Sequence, residues 1–230
     1  VELLLLGLLA ALVWKLYQWK RSPDDAPLRS VTLCLLCAAL SYPVAMPGGA
    51  SGVDTVAGHG TAKLIQNVLL LLAVYFLMCF YLYSAADEDA GRRRARKEAV
   101  VVAVVAVAIT VAAESVPHKV FAGSFSTADM TAPQIALFYG GAGLYLMYAL
   151  GMACRWTFRY ARMSRRPHST GLWMAAVGLG AMSVACAIRV VIVKRFSRST
   201  RGRKYPSGSL SRPSRAVHRQ NRDGQPTVTR

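Results

Sequence analysis

Two ionisable side chains stand inside long apolar runs of this sequence. Glu114 lies three residues before Pro117, and Arg189 lies five residues before Lys194. A charge placed at bilayer depth is costly unless it is paired, hydrated or functional, so such residues are the first place to look for chemistry. Both stand roughly one helical turn inside their runs at ~1.5 Å per residue, so their matching depth allows an interhelical Glu114–Arg189 pair if the two helix faces meet. Gln66 and Asn67 follow Lys63 at the start of another run. Together Gln66, Asn67, Glu114 and Arg189 form a candidate polar intramembrane cluster. Its simpler roles are structural pairing, snorkelling and interhelical hydrogen bonds worth about 0.6–2 kcal/mol each. Its functional role would be a substrate or proton site.

Other chemistry is sparse. Cys34-Leu-Leu-Cys37 has the spacing of redox and zinc motifs, but it is embedded in Leu and Ala and has no second ligand pair. All five cysteines fall within apolar runs, where they serve as small hydrophobes, and no disulfide framework is implied. His59 and His118 fall in polar connections near Asp54 and Asp129, and a metal or pH-sensing role would require those loops to converge. There is no Walker loop, HExxH, GxSxG or dinucleotide fingerprint. No catalytic residue, metal or cofactor is assigned, and the chain is read as a non-enzyme.

The elements that must position these residues follow from composition. Of 230 residues, 54% are hydrophobic and 17% charged, yet the formal net charge is +17. The apolar residues gather in six long segments, at approximately 2–19, 29–47, 61–83, 98–117, 133–154 and 170–194. Each is long enough to cross a hydrocarbon layer of ~30 Å, and helices satisfy their backbone groups internally there. The expected fold is all-α: a polytopic transmembrane helical bundle over 1–194, with a disordered basic tail over 195–230. Ala176-x-x-x-Gly180 and Ala181-x-x-x-Ala185, with Gly140, Gly141 and Gly143, read as close helix-packing surfaces.

Charge sets the orientation. Lys15, Lys20, Arg21 and Arg29 flank the first connection, Arg92, Arg93, Arg94, Arg96 and Lys97 fill the third, and Arg155, Arg159, Arg162, Arg165 and Arg166 fill the fifth. The alternate connections hold only Lys63 and Lys119. The positive-inside rule then places the N-terminus outside and the basic loops in the cytoplasm of a bacterial plasma membrane. Trp14, Tyr17, Trp19, Tyr81, Tyr83, Trp156 and Tyr160 cluster at the same ends, as interfacial aromatics should. The basic runs are therefore read as orientation signals rather than a nucleic-acid surface, with the lipid bilayer as partner. The first run lacks a basic n-region and a small-residue cleavage site, so a cleaved signal peptide is not expected.

Six spans starting outside would end outside, yet residues 194–230 carry 11 of the 28 Lys+Arg. Two expectations follow: a disrupted or replaced end where another span would have come, or a disordered basic tail that binds anionic lipid.

Val13-Trp14-Lys15-Leu16-Tyr17, the Arg21-Ser22-Pro23 to Pro27-Leu28-Arg29 connection, Leu33-Cys34-Leu35-Leu36-Cys37 and the Arg92–Lys97 loop resemble a family of actinobacterial integral membrane proteins that carry a transporter label. The resemblance covers about 1–196. It implies a seven-helix N-terminal module like that of membrane sensors, followed by a cytoplasmic portion; this chain departs from it by stopping after six spans. No site residues carry over. The expected function is a sensory membrane module in which a ligand at the outer polar cluster biases helix packing. The alternative is a small-solute transporter or transporter subunit. With so few spans, a homo-oligomer or a partner membrane or cytoplasmic protein fits either.

Overall fold

The computed structural model describes residues 2–58, 60–85, 88–115, 133–164 and 168–201. Those residues form helices and no strand: α1 (Glu2–Arg21), α2 (Ala26–Ala45), α3 (Pro47–Ala57), α4 (Thr61–Ala85), α5 (Glu88–Glu114), α6 (Pro133–Met163) and α7 (His168–Arg201).

Local chemistry sets the turns. Asp25 caps α2, its carboxylate accepting the Leu28 N–H at 2.9 Å, with a proline in the first turn. α2 ends near Pro43, and the chain re-enters helix at Pro47 as the short α3. A side chain at Gly49 would strike the Pro43 carbonyl at 2.0 Å, so only glycine fits that corner. Gly58 and Gly60 take φ of 98° and 94°, the left-handed region glycine enters without penalty. That turn lets Asp54 reach across and accept the Ala62 N–H at 2.9 Å, satisfying the start of α4. The connection 47–60, read as a loop from its Gly, Ser and Thr content, is thus largely helical.

Packing runs from α1 onto α2, α2 onto α4, and α4 onto both α5 and α6, while α7 lies along α6. The core sits among α4, α5 and α6, where Leu71, Met78, Ile109, Ile135 and Phe138 are fully buried. α6 is central and α7 peripheral, since 44% of the apolar stretch of α6 is buried but only 6% of that of α7. Their contact uses small residues. A Cβ at Gly143 would come within 2.9 Å of Val190, and one at Gly180 within 3.4 Å of Cys154. Ser183 donates to the Met147 carbonyl at 3.0 Å and Cys154 to the Ala176 carbonyl at 3.2 Å, both across that seam. Of the small residues singled out from the sequence, Gly143, Ala176 and Gly180 pack at this seam, whereas Gly140 meets nothing within 4 Å and Ala181 and Ala185 are exposed.

Among the described residues, four helices are long and apolar enough to cross a membrane: Ala26–Ala45, Thr61–Ser84, Gln134–Met163 and Thr170–Ile192. The sequence suggested six. The two others, α1 and α5, are helical, but Lys15 interrupts the first. The apolar stretch of α5, Ala99–Ala113, lies between Glu98 and Glu114, so at ~1.5 Å per residue it spans about 22 Å against a ~30 Å hydrocarbon layer. Hydroxyls inside the helices bond back to their own backbone, as Thr32 does to Leu28 and Thr110 to Ala106, which satisfies them without water. α7 continues as helix to Arg201, beyond the boundary at 194 read from the sequence. The remainder of the tail, 202–230, and the histidines His59 and His118 lie outside the described residues.

Candidate functional site

The cavities of the bundle show how the helix ends are grouped. Pro23, Asp24 and Arg29 share one cleft with Tyr83, Arg92 and Arg96, so the α1–α2 connection meets the start of α5. Arg94 shares a second with Arg155, Trp156 and Arg159 near the end of α6. Tyr81 and Ser84 share a third with Tyr160, Ser164 and Leu172. The three basic connections therefore gather at one end of the bundle. Aromatic rings and cations pair there: Arg21 over Tyr17 at 4.8 Å, Arg162 over Phe158 at 4.3 Å, and Phe158 edge-on to Trp173 at 5.0 Å.

The opposite end holds most of the cluster expected from sequence. Asn67 is half-buried in α4 and donates to the Lys63 carbonyl at 2.8 Å, a bond within its own helix. Gln66 is half-buried one residue earlier. Arg189 of α7 is half-buried and its guanidinium stands over the Tyr139 ring of α6 at 5.0 Å. Lys63 lies within electrostatic reach of both Arg189 and Asp54. Glu114 is exposed at the last position of α5. The described geometry thus gathers Lys63, Asp54, Arg189 and Tyr139, with Asn67 turned to its own helix; the aromatic partner of Arg189 was not anticipated.

The most deeply placed charge is a residue that sequence reasoning passed over. Glu98, in the third turn of α5, is only 7% exposed. The Tyr148 hydroxyl of α6 donates to its carboxylate at 2.8 Å, and the Arg94 guanidinium lies within electrostatic reach of that hydroxyl. Arginine, tyrosine and carboxylate thus stand in one polar chain. Tyr145 and Cys79 face the same charge, and the buried Tyr145 hydroxyl has no hydrogen-bond partner among the described residues. Tyr75 of α4 closes the group, its hydroxyl reaching the Ala95 carbonyl at 3.4 Å. Nearby, the Tyr81 hydroxyl bonds Thr157 and joins α4 to α6. Glu98 was hidden because it directly follows Arg92–Lys97 and reads as the polar rim of a span. The available signal was its spacing of four from Arg94, which puts both on one helix face.

Between the two polar ends lies an apolar layer of Leu71, Val74, Ile109, Ala112, Phe138 and Ala142. Among the described residues no group of three or more His, Cys, Asp or Glu could hold a metal ion. Cys34 and Cys37 are free thiols in α2, the second of them buried.

Neither a protein-family model nor a curated protein nor a solved structure matches this chain. Its functional reading rests on its own residues.

Proposed function

We propose that the chain is a multi-pass helical protein of the bacterial plasma membrane, with six spans and its N-terminus outside, acting as a sensory module. The supporting observation is the course of α6. Near its start Tyr139 carries Arg189, at its midpoint Tyr148 holds Glu98, and buried apolar side chains of α4 and α5 pack against the stretch between. Tyr139 and Tyr148 are nine residues apart, about 14 Å along the helix. A change of occupancy at the outer Lys63–Arg189 group would shift α6 and so alter the Glu98–Tyr148 contact midway along that helix. A ligand drives such a shift only to the extent that it binds one packing better than the other.

Exposed valines support a lipid-facing α5 despite its short apolar run. Val100, Val104, Val107 and Val111 form one continuous exposed stripe. The exposed Leu3, Leu6, Leu9 and Val13 do the same for α1. Apolar area on this scale is compatible with lipid or a membrane partner and poorly compatible with water. The gathered basic connections support a cytoplasmic placement for that end. Membership of the actinobacterial family with the transporter label belongs to this proposal and is carried by the α1–α2 motifs and the Arg92–Lys97 stretch.

Two-sided cysteine labelling tests it. In a cysteine-free background, Gln66→Cys should react with an impermeant maleimide from outside only, and Tyr148→Cys from the cytoplasmic side only. Reaction of either position from both faces would replace sensing by alternating access, the small-solute transporter.

A further inference from the structure

Beside the Glu98 chain, the start of α5 and the last turns of α6 enclose a cavity of about 170 Å³. Its lining is Arg94, Arg155, Arg159 and Trp156, with Met152 as the apolar wall. Every polar side chain in that set is a hydrogen-bond donor and none is an acceptor. Trp156 Nε1 is buried and has no hydrogen-bond partner among the described residues. A buried indole N–H without an acceptor is costly, so it marks a place where an acceptor belongs. Arg155 and Arg159 are four apart on α6 and share a face. Arg159 also lies over the Trp156 ring at 5.9 Å, which ties one guanidinium to the indole. Arg94 arrives from a different helix, so three like charges converge from two elements on one small space.

We propose that this cavity binds a phosphate group. Guanidinium forks match phosphate oxygens in pairs, and the indole N–H supplies a further donor from a second direction. The position favours the headgroup phosphate of an acidic phospholipid, because basic pockets between helices at the membrane boundary take such headgroups. Free phosphate presents the same oxygens. Occupancy would also be felt at the buried carboxylate, since Arg94 lies within electrostatic reach of Tyr148 and Tyr148 bonds Glu98. The site stands on local geometry and holds whether or not the bundle is a sensor.

The test is native mass spectrometry of the detergent-solubilised full chain, offered phosphatidylglycerol or phosphatidylcholine in mixed micelles and, in a separate arm, inorganic phosphate. The wild-type chain should retain the anionic lipid about tenfold better than the zwitterionic one. Arg159→Gln and Trp156→Phe should each remove most of that preference; the second keeps ring shape and charge while deleting one donor. Arg162→Gln is the charge-matched control, because Arg162 is on the same stretch of α6 but stacks on Phe158 outside the cavity. Preference for the anionic lipid that millimolar phosphate does not displace identifies the lipid headgroup. Phosphate binding without lipid preference, lost in Trp156→Phe, identifies the free anion. Equal loss in Arg162→Gln and Arg159→Gln, or no anion preference in either arm, would overturn the site and leave a diffuse basic surface.

Discussion

Glu98 shows how one residue takes its character from its neighbours. Buried at 7% exposure, it depends on the Tyr148 hydroxyl for a hydrogen bond. Glu98→Ala and Tyr148→Phe should therefore show a coupling of about 0.6–2 kcal/mol in a double-mutant cycle read by thermal unfolding in detergent. Additive losses would mean that the pair contributes no interaction of its own. Tyr145 provides the contrast. Its buried hydroxyl has no partner among the described residues, so Tyr145→Phe should be neutral or stabilising by up to about 1 kcal/mol. A loss of stability there would indicate an acceptor for that hydroxyl. Neither tyrosine was singled out from the sequence, because an aromatic residue in an apolar run gives no indication of which neighbouring helix it will face. Arg189 was picked out by its charge alone, yet its described ring partner, Tyr139, is fifty residues away in the chain.

Among the elements, the α6–α7 seam makes the sharpest claim. Gly143 faces Val190 so closely that an added Cβ would sit at 2.9 Å, whereas one at Gly178 meets nothing within 4 Å. Gly143→Leu should destabilise by about 1–3 kcal/mol through overpacking. Gly178→Ala should stay within about 1 kcal/mol of wild type, on the stabilising side if helix propensity dominates. Comparing the melting temperatures of the two variants checks the seam directly, and equal effects would count against it. Helix identity was legible in the sequence because apolar runs bounded by Arg and Lys clusters leave few alternatives. Two details were not. α3 is held by Gly49 against the Pro43 carbonyl and by the reach of Asp54 to Ala62, both tertiary facts in a segment whose composition signals a loop. The short apolar stretch of α5 was blurred by counting on to Pro117, whereas the described helix ends at Glu114.

For the whole molecule, the organising fact is polarity along the bundle axis. Arg21, Arg29, Arg92, Arg96, Arg155 and Arg159 all belong to connections at one end, while Lys63, Asp54 and Arg189 meet at the other. That arrangement was legible in outline, because alternating basic and neutral connections require it of any antiparallel bundle. The inner Glu98 chain and the donor-only cavity beside it were not, since both depend on which faces of α5 and α6 meet. The most direct measurement is topology mapping by small accessible tags inserted singly at Asp24, Gly58 and Ser164 and read in intact cells. The tags at Asp24 and Ser164 should be shielded until the cells are permeabilised, and the tag at Gly58 should be reached from outside. Finding Asp24 and Ser164 on opposite faces of the membrane would contradict the shared cytoplasmic end on which the proposed function rests.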